Sequence, residues 1–206
     1  MDRFMSDPLH QLRHRLQRHR PWRLRTVGRE AGVLLALTDS ADPEVIVTLR
    51  SPYLSTHSGE MAFPGGKRDP EDPDLLATAL REAEEEIALP PGQVEVIGSL
   101  GQVVSKHLLQ VTPWVGVIPS RLPLEPNPGE IDSIHRVPLS YLLDPANRRL
   151  DQIDFAGKVR YVPAWHWQGE VIWGLTAYIL AELLNVGFDA DIPMRPRPEH
   201  RETEHE

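Results

Sequence analysis

The sequence predicts an α/β fold, and three observations point to it. Short β-branched runs recur between residues 33 and 118, an acidic helix is bounded between residues 72 and 92, and an apolar helix runs to about Val186. Their order is consistent with helices layered on a sheet. At 206 residues, 40% hydrophobic and 25% charged, the chain is expected to form one domain over residues 1–192 with a proper core.

Composition narrows the function. The absence of Cys excludes disulfides, thiol catalysis and Cys-based zinc sites. A formal charge of −8 argues against broad nucleic-acid binding, which needs a positive field. An anionic substrate would be drawn in by bound metal and a few local cations, which suits a small phosphorylated molecule. No apolar run approaches the roughly 20 residues of a membrane span, and the N-terminus lacks the apolar core of a secretion signal. The expectation is a cytoplasmic protein without a membrane partner. Oligomeric state leaves no signature.

Residues 8–20 predict a basic amphipathic helix that packs through Leu9, Leu12 and Leu16 and ends at Pro21. A membrane-surface or nucleic-acid arm is the alternative. Val33–Leu37 and Val45–Arg50 read as strands, and the Asp39–Pro43 turn chemistry between them suggests a hairpin that delivers Arg50 to its end. A loop from Ser51 to Glu60 leads into Met61–Gly66 and then the acidic helix. Val94–Ile97, Val103-Val104 and Val111–Ile118 are further strand material, with Pro113 placing the last at an edge or a bulge. His107, in the preceding loop, reads as a surface residue, with a phosphate contact as the alternative. Residues 119–130 form a loop, Ile131–Val137 a strand and Pro138–Leu143 a short helix. Arg160–Trp167 and Val171–Trp173 flank a hairpin turn. Trp165, Trp167 and Trp173 serve either as buried aromatics or as a stacking surface for adenine. Residues 193–206, rich in Pro, Arg, Glu and His, are expected to be disordered.

The acidic helix carries the chemistry. Asp72-Pro73 provides a capping residue and a favoured first helical residue, and Pro90-Pro91-Gly92 provides the stop. At 100° per residue, Leu76, Leu80, Ala83 and Ile87 form the buried stripe. Glu82, Glu85 and Glu86 share a separate face, and Glu84 lies on the other flank. Carboxylates so spaced repel by roughly 0.2–0.5 kcal/mol per exposed pair. A solvated acidic face is the plain reading. Against it, Arg81 sits one turn before Glu85, and Gly65-Gly66 ahead of the helix permits close approach of a ligand. Hard divalent cations bind such a face through carboxylate oxygen and water. Glu82 and Glu86 are the foremost magnesium ligands, with Glu85 third and manganese an alternative ion. Arg81 would orient Glu85 or pair with Asp72. Asp72 has a competing role as helix cap.

Gly66, Asp72 and Arg81-Glu82-Ala83-Glu84-Glu85-Glu86-Ile87-Ala88-Leu89 resemble the Nudix box: glycine, five residues, glutamate, seven residues, then Arg-Glu-aliphatic-x-Glu-Glu-x-Gly-aliphatic. The loop acid is here Asp72, one residue farther from Arg81; Ala83 replaces the aliphatic residue and Ala88 the glycine. Thr48-x-Arg50-Ser51 with Gly59-x-x-x-Phe63-Pro64-Gly65-Gly66 is similar to the extra motif of the coenzyme A pyrophosphatase branch, which also tends to carry the shifted Asp. Ser55 stands where that motif has Arg, and Ile46-Val47 where it has Leu-Leu.

The resemblance implies a Nudix fold, an α/β/α sandwich with a mixed curved sheet. It also implies magnesium-dependent hydrolysis of coenzyme A or a derivative to 3′,5′-ADP and 4′-phosphopantetheine, with the same metal ligands. Arg50, His57 and Lys67 are candidate contacts for substrate phosphates, and Gly65 and Gly66 would admit the phosphate to the backbone. The general base is open, with Glu82 and Glu85 as candidates. A related hydrolase of ADP-ribose, nucleotide sugars or nucleoside triphosphates would keep the helix and change the pocket. A non-catalytic nucleotide-binding module would be expected to lose a carboxylate from the set, and none is lost.

Overall fold

The structure, a computed structural model, describes residues 7–25, 28–53, 59–155 and 158–194. His57 and Ser55 lie outside the described residues, as does the tail from 195 onward.

The chain opens with helix α1 (Pro8–Arg18), where the Asp7 carboxylate caps the Leu9 N–H. It ends at Arg18, three residues short of Pro21, with His19 as its C-terminal cap. Strands β1 (Glu30–Asp39) and β2 (Glu44–Arg50) follow as an antiparallel pair, then the short strands β3 (Met61–Ala62) and β4 (Gly65–Lys67). After helix α2 (Leu75–Ile87) come β5 (Glu95–Ser99), β6 (Val103–Val104), β7 (Gln110–Pro119), β8 (Ile131–Pro138) and the short helix α3 (Leu139–Leu143). A separate three-stranded antiparallel sheet is built from β9 (Arg148–Phe155), β10 (Lys158–Trp167) and β11 (Glu170–Ile172), and helix α4 (Gly174–Phe188) closes the fold. Among the described residues no helix is long and apolar enough to cross a membrane.

The main sheet runs β3-β2-β1-β7-β5, with β4 beside β1, β6 beside β7 and β8 beside β2. The pairing of β1 with β7 is parallel along its whole length and the other pairings are antiparallel, so the sheet is mixed. The side-chain alternation of β1 divides the core. Leu34 and Ala36 pack with Ala79, Ala83 and Ile87 of α2. Leu35 and Leu37 join the larger cluster that contains Leu9, Leu12 and Leu16 of α1 and Ile179, Leu180 and Leu183 of α4. The result is an α/β/α sandwich.

Two expectations are corrected here. Pro113 lies in the interior strand β7, not at an edge. Its carbonyl accepts the Leu100 N–H (2.9 Å) between the stretches paired with β5 and β6, so its missing donor falls in the break between those strands and no ladder bond is lost. Helix α2 starts at Leu75, because Asp74, not Asp72, caps it through the Ala77 N–H (2.8 Å). Its buried face accordingly comprises Thr78, Ala79, Ala83, Glu86 and Ile87, while Leu76 and Leu80 are half-buried.

Strand β1 changes partner part-way. Leu37 faces Val45 of β2, whereas Ala31, Gly32 and Val33 face Lys67, Gly66 and Gly65 of β4. Thr48 of β2 donates its hydroxyl to the Ala62 carbonyl, and the Leu34 N–H reaches the Pro64 carbonyl. The second sequence motif therefore builds this fork.

Candidate active site

At the fork, α2 brings its acids to a cleft of about 870 Å³. Glu86 is 2% exposed. One of its oxygens accepts from the Gly65 N–H (3.2 Å) and the other from Arg50 Nη1 (3.2 Å). Burial pushes its carboxyl up to about 7, against the opposing pull of Arg50 and the Gly65 N–H. Burial also raises the Glu82 carboxyl, offset in part by Arg81. Gly66 is obligatory beside it: a Cβ there would lie 2.4 Å from the Glu82 carboxyl carbon. At Gly65, with φ +155, a Cβ would lie 2.4 Å from the Gly32 carbonyl oxygen.

Arg81 is fully committed. Its Nε and one Nη2 hydrogen go to the two Asp72 oxygens (both 3.0 Å), Nη1 to Glu82 and Glu85 (both 3.1 Å), and Nη2 also to the Lys67 carbonyl (3.2 Å). All five guanidinium donors are thus engaged within the protein. Asp72 is the hub on the other side. Besides Arg81 it accepts from the Asp69 N–H (3.0 Å) and the Thr78 hydroxyl (2.9 Å), and Arg81 above all holds its carboxyl well below the usual range. The Asp72–Arg81 pair fixes the loop to the helix, which replaces the capping role.

The structure brings Arg50, Gly65, Gly66, Lys67, Arg81, Glu82, Glu85 and Glu86 to one cleft. It adds residues that the sequence did not single out, among them Arg29, Glu60, Lys106 and Glu130. Glu130 lies near enough to Glu82 and Glu86 to raise both carboxyls slightly. His107 and Trp173 line the cleft, and Trp173 is 52% exposed. Trp165 is instead buried, donating to the Leu142 carbonyl, and Trp167 stacks edge-on with Tyr141. Glu130 follows a Gly in a Pro-rich loop, and nothing local marks it. Arg29 was open to detection, because it shares the period-2 face of Ala31 and Val33.

A NUDIX domain model matches residues 28–155. The chain belongs to the Nudix family. It is 41% identical over 163 residues to the uncharacterized Nudix hydrolase NudL of Photorhabdus laumondii, covering 79% of this chain and 87% of that one. It is also 41% identical over 169 residues to Nudix hydrolase 15, mitochondrial, of Arabidopsis thaliana, covering 78% of this chain and 59% of that relative's length. Two solved structures share the Nudix fold at low identity. The MutT/nudix family protein from Enterococcus faecalis has a TM-score of 0.56 at 13% identity, over 97% of this chain and 80% of that one. The Nudix hydrolase RenU from M. smegmatis has a TM-score of 0.51 at 19% identity, over 82% and 89%. As a Nudix hydrolase the protein is a pyrophosphohydrolase, of a family that generally uses a divalent ion, typically magnesium.

The residues present fit such an ion. The donors are the hard carboxylate oxygens of Glu82, Glu85 and Glu86, which line one cleft with Glu130 beside them. Among the described residues no three acidic or His side chains form a ready cage.

Proposed function

We propose that this Nudix hydrolase cleaves the pyrophosphate of coenzyme A or a derivative, releasing 3′,5′-ADP and 4′-phosphopantetheine, with magnesium held by Glu82 and Glu86. The observation that carries the reading is where the second sequence motif falls. Arg50 reaches from β2 to Glu86 at 3.2 Å, and the Phe63–Gly66 run supplies the backbone that the α2 acids touch. The contact of this motif, which resembles that of the coenzyme A branch, with the α2 acids supports the reading.

A divalent ion held by Glu82 and Glu86 would supply charge neutralisation to the pyrophosphate and acidity to the attacking water. The chain's own residues do the rest. Arg81 holds Glu82 and Glu85 in place from the loop side. Glu85, tied through one oxygen, keeps the other for a proton or a third metal contact. Gly65 and Gly66 let the diphosphate lie against the strand. Arg50 both restrains Glu86 and presents positive charge to the cleft. Phe63, Met61, Leu109, Leu175 and Trp173 give the cleft an apolar wall suited to a pantetheine arm or an adenine.

The test is a panel of coenzyme A, ADP-ribose and nucleoside triphosphates with magnesium, with Glu86→Gln as the control. The expected outcome is preferred turnover of coenzyme A, and a drop of orders of magnitude in Glu86→Gln with a melting temperature no lower than wild type. Preferred turnover of ADP-ribose or a triphosphate would overturn the substrate. Near-wild-type activity of Glu86→Gln would remove Glu86 from the site.

A further inference from the structure

Strand β1 carries more of the cleft than its glycine-facing end. Side chains alternate along a strand, so Arg29, Ala31 and Val33 share a face. The register sets Lys67 beside Ala31 and Gly65 beside Val33, and all five residues line the cleft. Arg68 and Glu30, on the opposite face, pair with each other. Arg50, Arg81 and Lys106 are each committed to a carboxylate. Among the described residues Arg29 and Lys67 have no ion-pair partner, and both are exposed. Two uncommitted cations thus end a row that begins at the reacting diphosphate. Lys67 stands two residues from Gly65, roughly 7 Å at strand spacing. That is the scale of two phosphates carried on one ribose.

We propose that Arg29 and Lys67 form a second anion subsite, one that grips a phosphate monoester carried by the substrate beyond its pyrophosphate. On the function proposed above, on which this assignment rests, that group is the 3′-phosphate of the coenzyme A ribose. A guanidinium just before the start of β1 and an ammonium at the end of the neighbouring β4 suit a dianion, the first as a two-pronged donor and the second as a point charge. Mere solubility would not require both to share the floor of one cleft on a chain of net charge −8. The subsite would make the enzyme discriminate between coenzyme A and its 3′-dephospho form, which carry the same scissile bond.

Two measurements test it. The first compares coenzyme A with 3′-dephospho-coenzyme A on wild type, Arg29→Ala, Arg29→Lys and Lys67→Ala. Wild type is expected to favour coenzyme A in kcat/KM by about 10- to 100-fold, mostly through KM. Arg29→Ala and Lys67→Ala should each bring that ratio towards one, and Arg29→Lys should restore part of it. Equal KM for both substrates in wild type, or an equal loss on both in Arg29→Ala, would overturn the subsite. The second is calorimetric binding of adenosine 3′,5′-bisphosphate and 5′-AMP in magnesium. If neither coenzyme form is hydrolysed while another pyrophosphate is, the substrate reading fails and this binding decides the subsite. Tighter binding of the bisphosphate that Arg29→Ala abolishes supports it, and equal binding of the two nucleotides overturns it.

Discussion

Arg81 and Asp72 together tie the loop after β4 to α2. Asp72 accepts four hydrogen bonds, two of them from Arg81, in a nearly buried position, and they depress its carboxyl. A depressed carboxyl stabilises the fold above its ordinary value of 3.8, and that contribution is lost as pH falls below it. Asp72→Asn should therefore cost about 2 kcal/mol at neutral pH, by urea titration, and lose less stability than wild type between about pH 4 and 2. An acid limb unchanged in the variant would remove Asp72 as its source. A second residue works against the fold. Ala88 ends α2 in the left-handed region, φ 54, where glycine has no steric cost. Ala88→Gly is expected to raise stability by about 1 kcal/mol. A lower denaturation midpoint would show that the strain is relieved elsewhere.

Helix α1 lies outside the matched family segment yet is joined to the same core. Leu12 is fully buried, with its Cδ1 2.6 Å from where a Cβ on Gly187 would sit, and Gln11 donates to the Gly187 carbonyl. Arg13 pairs with Glu95 and Arg15 with Asp189, so the basic side is partly occupied within the molecule. Leu12→Ala should destabilise by about 2–5 kcal/mol in chemical denaturation, and a loss under 1 kcal/mol would mean that α1 is an appendage. The periodic elements were legible: the Leu spacing of α1, the β-branched runs of β1, β2 and β7, and the apolar α4. Strand β9 was not, because Arg148–Phe155 has no regular alternation and Leu150 stays 42% exposed. The start of α2 was misplaced because Asp72-Pro73 and Asp74-Leu75 are both good helix openings. Only the pull of Arg81 and Thr78 on Asp72 decides between them.

At the scale of the molecule, the acidic half of the cleft was legible because it lies on one helix, where i and i+4 spacing places Glu82 and Glu86 together. The rest was legible only in part: Arg50, Lys67, His107 and Trp173 were candidates, whereas Glu60, Lys106 and Glu130 come from separate places in the chain and meet only after folding. The sheet and its helices make them meet. Helix α2 packs behind the sheet on Leu34 and Ala36, whereas the cleft is floored by Ala31 and Val33 and walled by Leu175 and Ile179 from the α4 side. The acids reach it where β1 exchanges β2 for β4. That fork works as a window cut through a wall: the helix stands behind it and its carboxylates look out in front. Any loosening of the helix on its hidden side is felt at the opening, though nothing facing solvent has changed. The chemistry so arranged inherits the steadiness of one helix more than that of the broad sheet through which it acts.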